Sequence, residues 1–416
     1  MKSYNEALKI LKKSQIKISN EIIKSMSGLN RICSSNIYAK NNYPSENNSS
    51  LDGFAIKLNY TKGVSNKNSK KFKIVGSTSA GSKPYRKILK KNEAVEIMTG
   101  GIMPNGSNSI IPIEDCTFLK EGKNKYILIK KVYKKFENVR LKGSDYKLKD
   151  LVIKKNTLIN SSHIKALKAL GIEKINVKKK INVVFFSSGN EISEKNYIDK
   201  WKIRNSNHYY LKNLKNSFLF NFKNLGILRD NDENKFYKKL LKIFMSKTNI
   251  IITSGAVSKG KFDFIPKVIN KLKLSHSFKN VLIRPGKPIL FAKFKGKSKV
   301  IFGLPGNPIS TAACFRFFVF PYIQNILGLN PERSIKAKLK NNFIKKRIFT
   351  RFVKSKLSTT KNGKLEVEIL EGQESFRIKS FVNSNIWVLL PNGKSKFKKG
   401  EIVDCFFPNH YNQTLI

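Results

Sequence analysis

Residues 300–310, VIFGLPGNPIS, decide how this chain is read. An apolar run with strand character stops at two prolines that bracket Gly306 and Asn307, and the long apolar stretch TAACFRFFVFPYIQNIL follows at once. Pro305 fixes φ, Gly306 removes the Cβ, Asn307 is a favoured N-cap residue, and Pro308 suits the first helical turn. The expected result is a rigid helix N-terminus beside the carboxyl end of a strand, a place where α/β sheets bind anions. Taken alone, the same residues also describe an ordinary capped β–α turn.

Before this stretch, short apolar runs alternate with amphipathic stretches. INVVFF (181–186) runs into SSGNEI, LGIL (225–228) into RDNDENKFYKKLLKIFM, and NIIIT into SGAVSKGKFDFIPKVINKL. This βα repetition predicts a doubly wound parallel sheet with its loops gathered at one end. Asp230 and Asn231 are placed to cap the helix after the second run. Residues 25–146 carry short strands and turn clusters (NYPSENNSS, GSTSAGSKPYR, GIMPNGSNS) and read as a β-rich domain. NTLINSSHIKALKALGIEKINV predicts a helix with a glycine stop and then a strand. After Pro331, FTRFVKSKLS, LEVEIL, RIKSFVNSNIWVLL and EIVDCFF predict antiparallel strands of a small barrel or sandwich. At the N-terminus, Ser3-x-x-Glu6 ahead of Leu8, Ile10 and Leu11 predicts a capped amphipathic helix.

Composition narrows the function. The 416 residues, 40% hydrophobic and 11% aromatic, describe a globular protein of several domains. The net charge of +55 invites a nucleic-acid reading, but only eleven of the 82 basic residues are arginine. Arginine is the residue suited to bidentate phosphate and base recognition. The lysines are spread along the whole chain, so the charge reads as solvated surface and no specific nucleic-acid partner is expected. Four scattered cysteines without a C-x-x-C pair argue for a reducing, cytoplasmic setting and against a zinc knuckle. No secretory signal is expected at the N-terminus, and the most apolar run is broken by Arg316 and Pro321, so no membrane span is expected.

Several loops carry candidate chemistry. In TSGAVSKGKFD (253–263), Gly255 and Gly260 let backbone N–H groups approach a ligand, Ser254 and Ser258 add hydroxyls, and Asp263 is placed to cap a helix or hold a cation. Asp52 precedes a glycine in SSLDGFAIK, Thr99 sits comparably in VEIMTGG, and Arg140 and Asp145 flank the turn of NVRLKGSDY. VLIRPGKPILF sets Arg284 and Lys287 around Pro285 and Gly286. Each loop by itself is also compatible with plain turn chemistry. Only nine aspartates occur in the chain, so each one inside a motif carries more information.

Taken together, SSLDGFAIK, AVEIMTGGIMPNGSNSIIPIE, NVRLKGSD, SSGNEI, NLGILRD, TSGAVSKGKFDF, IRPGKP and LPGNPIS resemble the molybdopterin molybdenumtransferase family over nearly the full length. The resemblance implies a multidomain α/β and β protein: a connecting helical domain (1–24 and 147–178), a β-rich domain (25–146), a central doubly wound α/β molybdopterin-binding domain (179–328) and a C-terminal β-barrel domain (329–416). It implies a homodimer whose cleft receives Asp52, Thr99 and Asp145 from one subunit and Glu191, Asp230 and Asp263 from the other. Asp52, Glu191, Asp230 and Asp263 would share Mg²⁺ in that cleft.

The resemblance further implies that the TSG loop and Pro305–Pro308 hold pterin and phosphate. Arg284, Arg351 and Ser375, with Lys279 nearby, would hold molybdate. The implied activity is insertion of molybdate into adenylylated molybdopterin with Mg²⁺-dependent release of AMP. The chain would work beside a molybdopterin adenylyltransferase and molybdoenzyme acceptors. A catalytically weak molybdopterin-binding scaffold of the same fold is the alternative. The chain departs from the family pattern at Arg284 (usually lysine), Asn280 (usually basic), Ala256 (usually glycine), Asn190 (usually acidic) and Asn108 (usually aspartate).

Overall fold

The computed structural model describes residues 1–214, 219–257, 264–272, 274–294 and 296–408. The N-terminal helix Tyr4–Lys13 is closed by the expected capping box, with the Glu6 N–H donating to Ser3 Oγ (3.3 Å) and the Ser3 N–H to Glu6 Oε2 (2.7 Å). Its buried residues Tyr4, Ala7 and Leu11 form one face at helical spacing. Strand Asn20–Lys24 pairs antiparallel with Lys174–Lys178. Helix Ser161–Ala169 starts at Asn160, whose side chain accepts from the His163 N–H, and is followed by Gly171 at φ +65°.

The β-rich region forms a six-stranded sheet in the spatial order Ser109–Pro112, Gly53–Ile56, Glu93–Ile97, Lys70–Thr78, Asn124–Ile129, Cys116–Glu121. The α/β region forms a second six-stranded sheet. Four of its strands, in the order Phe220–Leu228, Ile181–Ser188, Ile250–Ser254 and Val300–Leu304, are parallel, as the βα pattern predicts. Leu290–Lys293 pairs antiparallel with Val300–Leu304 on one side and with Ser275–Lys279 on the other, so the sheet is mixed rather than wholly parallel. The physical reason is the short path from Leu290–Lys293 to Val300–Leu304, which is too brief for the crossover a parallel neighbour needs.

Both faces of this sheet are covered. Phe185, Ile252 and Phe302 belong to a core shared with the helices after Asn307, while Phe186, Ile251 and Ile301 pack with Phe236, Leu240 and Ile265 on the other side. Each such phenylalanine contributes about 1.5–3 kcal/mol by leaving water. The first core continues to Tyr4, Ala7 and Leu11 of the N-terminal helix and to Phe352 and Trp387 of the C-terminal region.

The C-terminal region settles the choice between barrel and sandwich. Thr350–Thr359 pairs with Leu365–Ile369, which pairs with Ile335–Leu339, then Ile402–Phe406, then Ile386–Leu390, which returns to Thr350–Thr359. Closure of five strands removes the edges an open sheet would expose. The short strand Ile283–Arg284 adds to the outside of Thr350–Thr359.

Two local expectations change. The apolar stretch after Asn307 is not one regular helix: Pro308–Cys314 passes into a π turn at Phe315–Val319 and then into Phe320–Leu327, ending at Gly328 with φ +73°. Pro321 has no N–H for the Phe317 carbonyl, which instead accepts a long contact from the Tyr4 hydroxyl at 3.5 Å. The helix expected to be capped by Asp230 or Asn231 begins at Glu233 with Asp232 at the N-cap, and Asp232 accepts from the Arg229 N–H (2.8 Å). No helix among the described residues is long and apolar enough to cross a membrane.

Candidate functional site

The sharp corner at LPGNP and the TSG loop meet at the carboxyl end of the parallel strands. Gly255 has φ +96°, and a Cβ there would lie 2.4 Å from the Ser188 carbonyl oxygen, so only glycine lets this strand end approach Ile181–Ser188 so closely. A Cβ on Gly306 would lie 3.6 Å from Gly255 Cα, which places the two glycine loops side by side. Asn207 joins them, its Nδ2 donating to Ser254 Oγ and to the Gly306 carbonyl, both at 2.7 Å. Thr311 Oγ1 closes the corner from the helix by donating to the Pro305 carbonyl at 2.6 Å. Ser188 Oγ and Thr253 Oγ1 are buried here without a hydrogen-bond partner. An unsatisfied buried hydroxyl is costly, and a ligand oxygen beside it would remove that cost.

The corner is rigid, but not in the way the sequence suggests. Asn307 occupies the N-cap position without capping through its side chain. Its Nδ2 donates instead to Ser375 Oγ at 3.1 Å, and the Ile309 N–H donates to the Ser375 carbonyl at 3.1 Å. The C-terminal barrel thus supplies the partner for a helix N–H, and Ser375 is brought to the LPGNP corner. Next to it, Arg284 and Arg351 are register partners on adjacent parallel strands. Each guanidinium covers an aromatic ring, Arg284 over Phe349 at 4.6 Å and Arg351 over Phe343 at 5.6 Å. Burial, followed by the neighbouring Arg284, lowers the Arg351 pKa, while Glu374 opposes the shift. Arg351 Nε is buried and has no partner.

Acidic candidates fall into two groups. Asp52 Oδ1 accepts from the Thr99 hydroxyl (2.7 Å) and the Thr99 N–H (2.6 Å), and these hydrogen bonds hold the carboxyl below its usual range. Arg140 and Asp145, with Lys40, Asn42 and Ser144, line a cavity of about 790 Å³ in the same part of the chain. Glu191 and Asp230 lie on adjoining loops of the α/β sheet. A Cβ on Gly189 would meet the Glu191 carboxylate, and the Asp230 N–H donates to Asn190 Oδ1 at 3.2 Å. Arg229 secures both loops through the Gly189, Asn190 and Ile192 carbonyls.

Among the described residues, no hydrogen bond or ion pair links Asp52 and Thr99 to the Glu191 and Asp230 loops. Nor does any group of three metal-binding side chains gather at one point. Lys279 is half-buried at the end of its strand and Lys287 is exposed, its carbonyl accepting from the Val281 N–H. Gly286 has φ +105°, and a Cβ there would meet Cys314 Sγ at 2.4 Å, so glycine is required at the Pro-Gly bend. Ser258, Gly260 and Asp263 lie outside the described residues.

Asp52, Asp145, Glu191 and Asp230 have a common property. In a chain with 82 basic and 27 acidic residues, none of the four makes an ion pair among the described residues. Unpaired carboxylate oxygens suit Mg²⁺, which takes one or two carboxylates and completes its shell with water and substrate phosphate. The donor chemistry therefore fits that ion.

Sequence reasoning missed Ser188, Asn205, Asn207, Thr311 and Lys354. Asn205 accepts from Ser187 Oγ (2.7 Å), behind the SSG strand end. The stretch IRNSNHYY offered a weak signal as a cluster of helix-capping residues, whereas Lys354 is one lysine among many.

The departures from the family pattern acquire structural meaning. Ala256 and Asn280 both sit at positive φ, +54° and +62°. Asparagine tolerates this region and alanine does not. Ala256→Gly is therefore expected to stabilise the protein by about 0.5–1 kcal/mol, since relief of strain exceeds the added unfolded-state entropy. A rise in the urea midpoint at constant slope would show it, and a fall would mean that Ala256 contributes more by packing.

Three family models match in succession: "MoeA N-terminal region (domain I and II)" over residues 2–171, "Probable molybdopterin binding domain" over 185–325, and "MoeA C-terminal region (domain IV)" over 336–406. The chain is 31% identical to a molybdopterin molybdenumtransferase of Staphylococcus epidermidis over 419 residues, covering 100% of this chain and 98% of the relative. A molybdopterin molybdenumtransferase of Staphylococcus aureus is 33% identical over 381 residues, with 90% and 88% covered. Among solved structures, the molybdopterin biosynthesis MoeA protein of Pyrococcus horikosii superposes with a TM-score of 0.83 at 26% identity, covering 98% of this chain and 99% of that one.

Proposed function

We propose, from the premise that the chain belongs to the molybdopterin molybdenumtransferase (MoeA) family, that it inserts molybdate into adenylylated molybdopterin in the cytoplasm, releasing AMP and the finished cofactor. The observation that carries this reading is the side-chain cluster at the barrel junction. Arg284 and Arg351 stand in register with an unpartnered buried Nε, beside the Asn307–Ser375 contact. Two fixed cations and an orphan donor suit a small dianion, because each offsets charge without needing to reorganise.

The TSG and LPGNP loops accommodate the phosphate-bearing pterin. Gly255 and Gly306 clear the way for backbone approach, and Ser188 Oγ waits with an unused hydroxyl. Asp52, Glu191, Asp230 and Asp263 are the residues that would hold Mg²⁺, which when bound neutralises pyrophosphate charge. Thr99 fixes the Asp52 carboxylate, and Arg229 fixes the loops bearing Glu191 and Asp230. Because no hydrogen bond or ion pair among the described residues links Asp52 and Thr99 to the Glu191 and Asp230 loops, two copies of the chain would complete the site by facing these residues across a dimer interface. An adenylyltransferase would supply the substrate, and molybdoenzymes would accept the product.

The test is AMP release from adenylylated molybdopterin with Mg²⁺, with and without molybdate. Release that depends on molybdate and yields active cofactor is expected. Tight binding of the adenylylated substrate without release would instead support the scaffold alternative.

A further inference from the structure

Under the Ser375 loop lies Lys354, on the barrel strand Thr350–Thr359, three residues beyond Arg351. It is 1% exposed. Its Nζ donates to the carbonyls of Gly372 (2.6 Å), Arg377 (3.1 Å) and Glu374 (3.3 Å). An ammonium group has three N–H donors, and here each has a carbonyl of one short loop. Burial depresses the Lys354 pKa to about 8, with Glu374 opposing the shift and Arg351 and Arg377 adding to it, so the group is mainly charged at neutral pH.

Gln373 grips the same residue through its backbone. Its Oε1 accepts from the Lys354 N–H (3.0 Å), and its Nε2 donates to the Lys354 carbonyl (2.8 Å) and the Leu370 carbonyl (2.7 Å). Ser380 Oγ adds a bond to the Gly372 carbonyl at 2.7 Å. The loop so held carries Ser375, whose carbonyl takes the Ile309 N–H and whose Oγ accepts from Asn307. With its oxygen oriented as an acceptor toward Asn307, the Ser375 hydroxyl keeps its own proton for an anion.

We propose that Lys354 and Gln373 form a clamp that positions the Ser375 loop against the Asn307 corner and thereby sets the affinity of the oxyanion pocket. Lys354 is a positioning residue: it acts through the loop and does not touch the anion. The inference rests on the molybdate reading above, but the clamp has a readout that does not.

In the full-length protein, Lys354→Met keeps the side-chain volume and removes the ammonium from all three carbonyls, leaving those of Gly372 and Arg377 to Ser380 Oγ and that of Glu374 to the Arg377 N–H at 3.2 Å. It is expected to raise the KM for molybdate roughly tenfold or more, while the KM for adenylylated molybdopterin changes less than about twofold. Hydrogen exchange should show lost protection at the Ile309 amide with the barrel strands still protected. Gln373→Leu should move both readouts in the same direction, and it decides the matter if Lys354→Met does not fold. An unchanged molybdate KM together with a protected Ile309 amide in a folded variant overturns the clamp. Absence of molybdate-dependent release in the unmodified protein overturns the functional reading alone, and the Ile309 amide still reports on the clamp.

Discussion

Asp52→Ala is expected to lower molybdate-dependent AMP release by about 10²–10³-fold, the scale of losing one preorganised charged group at a reacting phosphate. The thermal midpoint should hardly move, because Asp52 is exposed and, among the described residues, its side chain bonds only to Thr99. Those two hydrogen bonds converge on Oδ1 and leave the second carboxylate oxygen for a cation. They also hold the carboxyl below its usual range. Asp52→Asn retains an oxygen for Thr99 and removes only the charge, and it should lose nearly as much turnover. Asp115→Ala is the matched control, since that acid is occupied by Tyr133 and Lys131 and lies outside the site. Normal turnover in Asp52→Ala would move the proposed metal role to other residues.

The largest loss of stability is expected at Glu332. Arg316, 2% exposed in the π turn, directs one guanidinium nitrogen to both Glu332 oxygens (2.6 and 2.5 Å) and Nε to the Phe407 carbonyl (2.6 Å). Burial lowers the Arg316 pKa and Glu332 opposes it, which is the balance expected of a charge that tolerates the interior only with its partner present. Glu332→Ala leaves that charge unpaired and should cost about 3–5 kcal/mol, measurable by urea unfolding. Replacing both residues by leucine should recover most of the loss, because desolvation of the pair is removed with the pair. A single-variant loss below about 1 kcal/mol would show that water reaches Arg316 and solvates it. The effect matters for function because this pair joins the helix descending from LPGNP to the segment that enters the barrel.

How much of this was legible depends on the range of the interactions involved. The capping box of Ser3 and Glu6, the helix Ser161–Ala169 with its Gly171 stop, and the four parallel strands follow from contacts within a few residues or from apolar periodicity. The glycine requirement at residues 255 and 286 was legible as a motif, although its cause, the Ser188 carbonyl and Cys314 Sγ, is remote in the chain. The antiparallel pair Leu290–Lys293 and Ser275–Lys279 was not legible, because strand direction depends on the route of a connection and not on residue pattern.

By itself the sequence determined the order of elements, the loops that bear chemistry and the family, since these rest on local propensity and on motifs in a set order. Tertiary structure alone decided which of those residues share a site. It redirected Asn307 from capping its own helix to holding Ser375, set Arg351 beside Arg284, buried Lys354 beneath the Ser375 loop, and bonded Thr99 to Asp52. The reason is that a side-chain amide, guanidinium or ammonium takes whichever partner removes the cost of burying it. Those partners lie tens of residues away, brought close by the apolar core that the α/β sheet, the first helix and the barrel share.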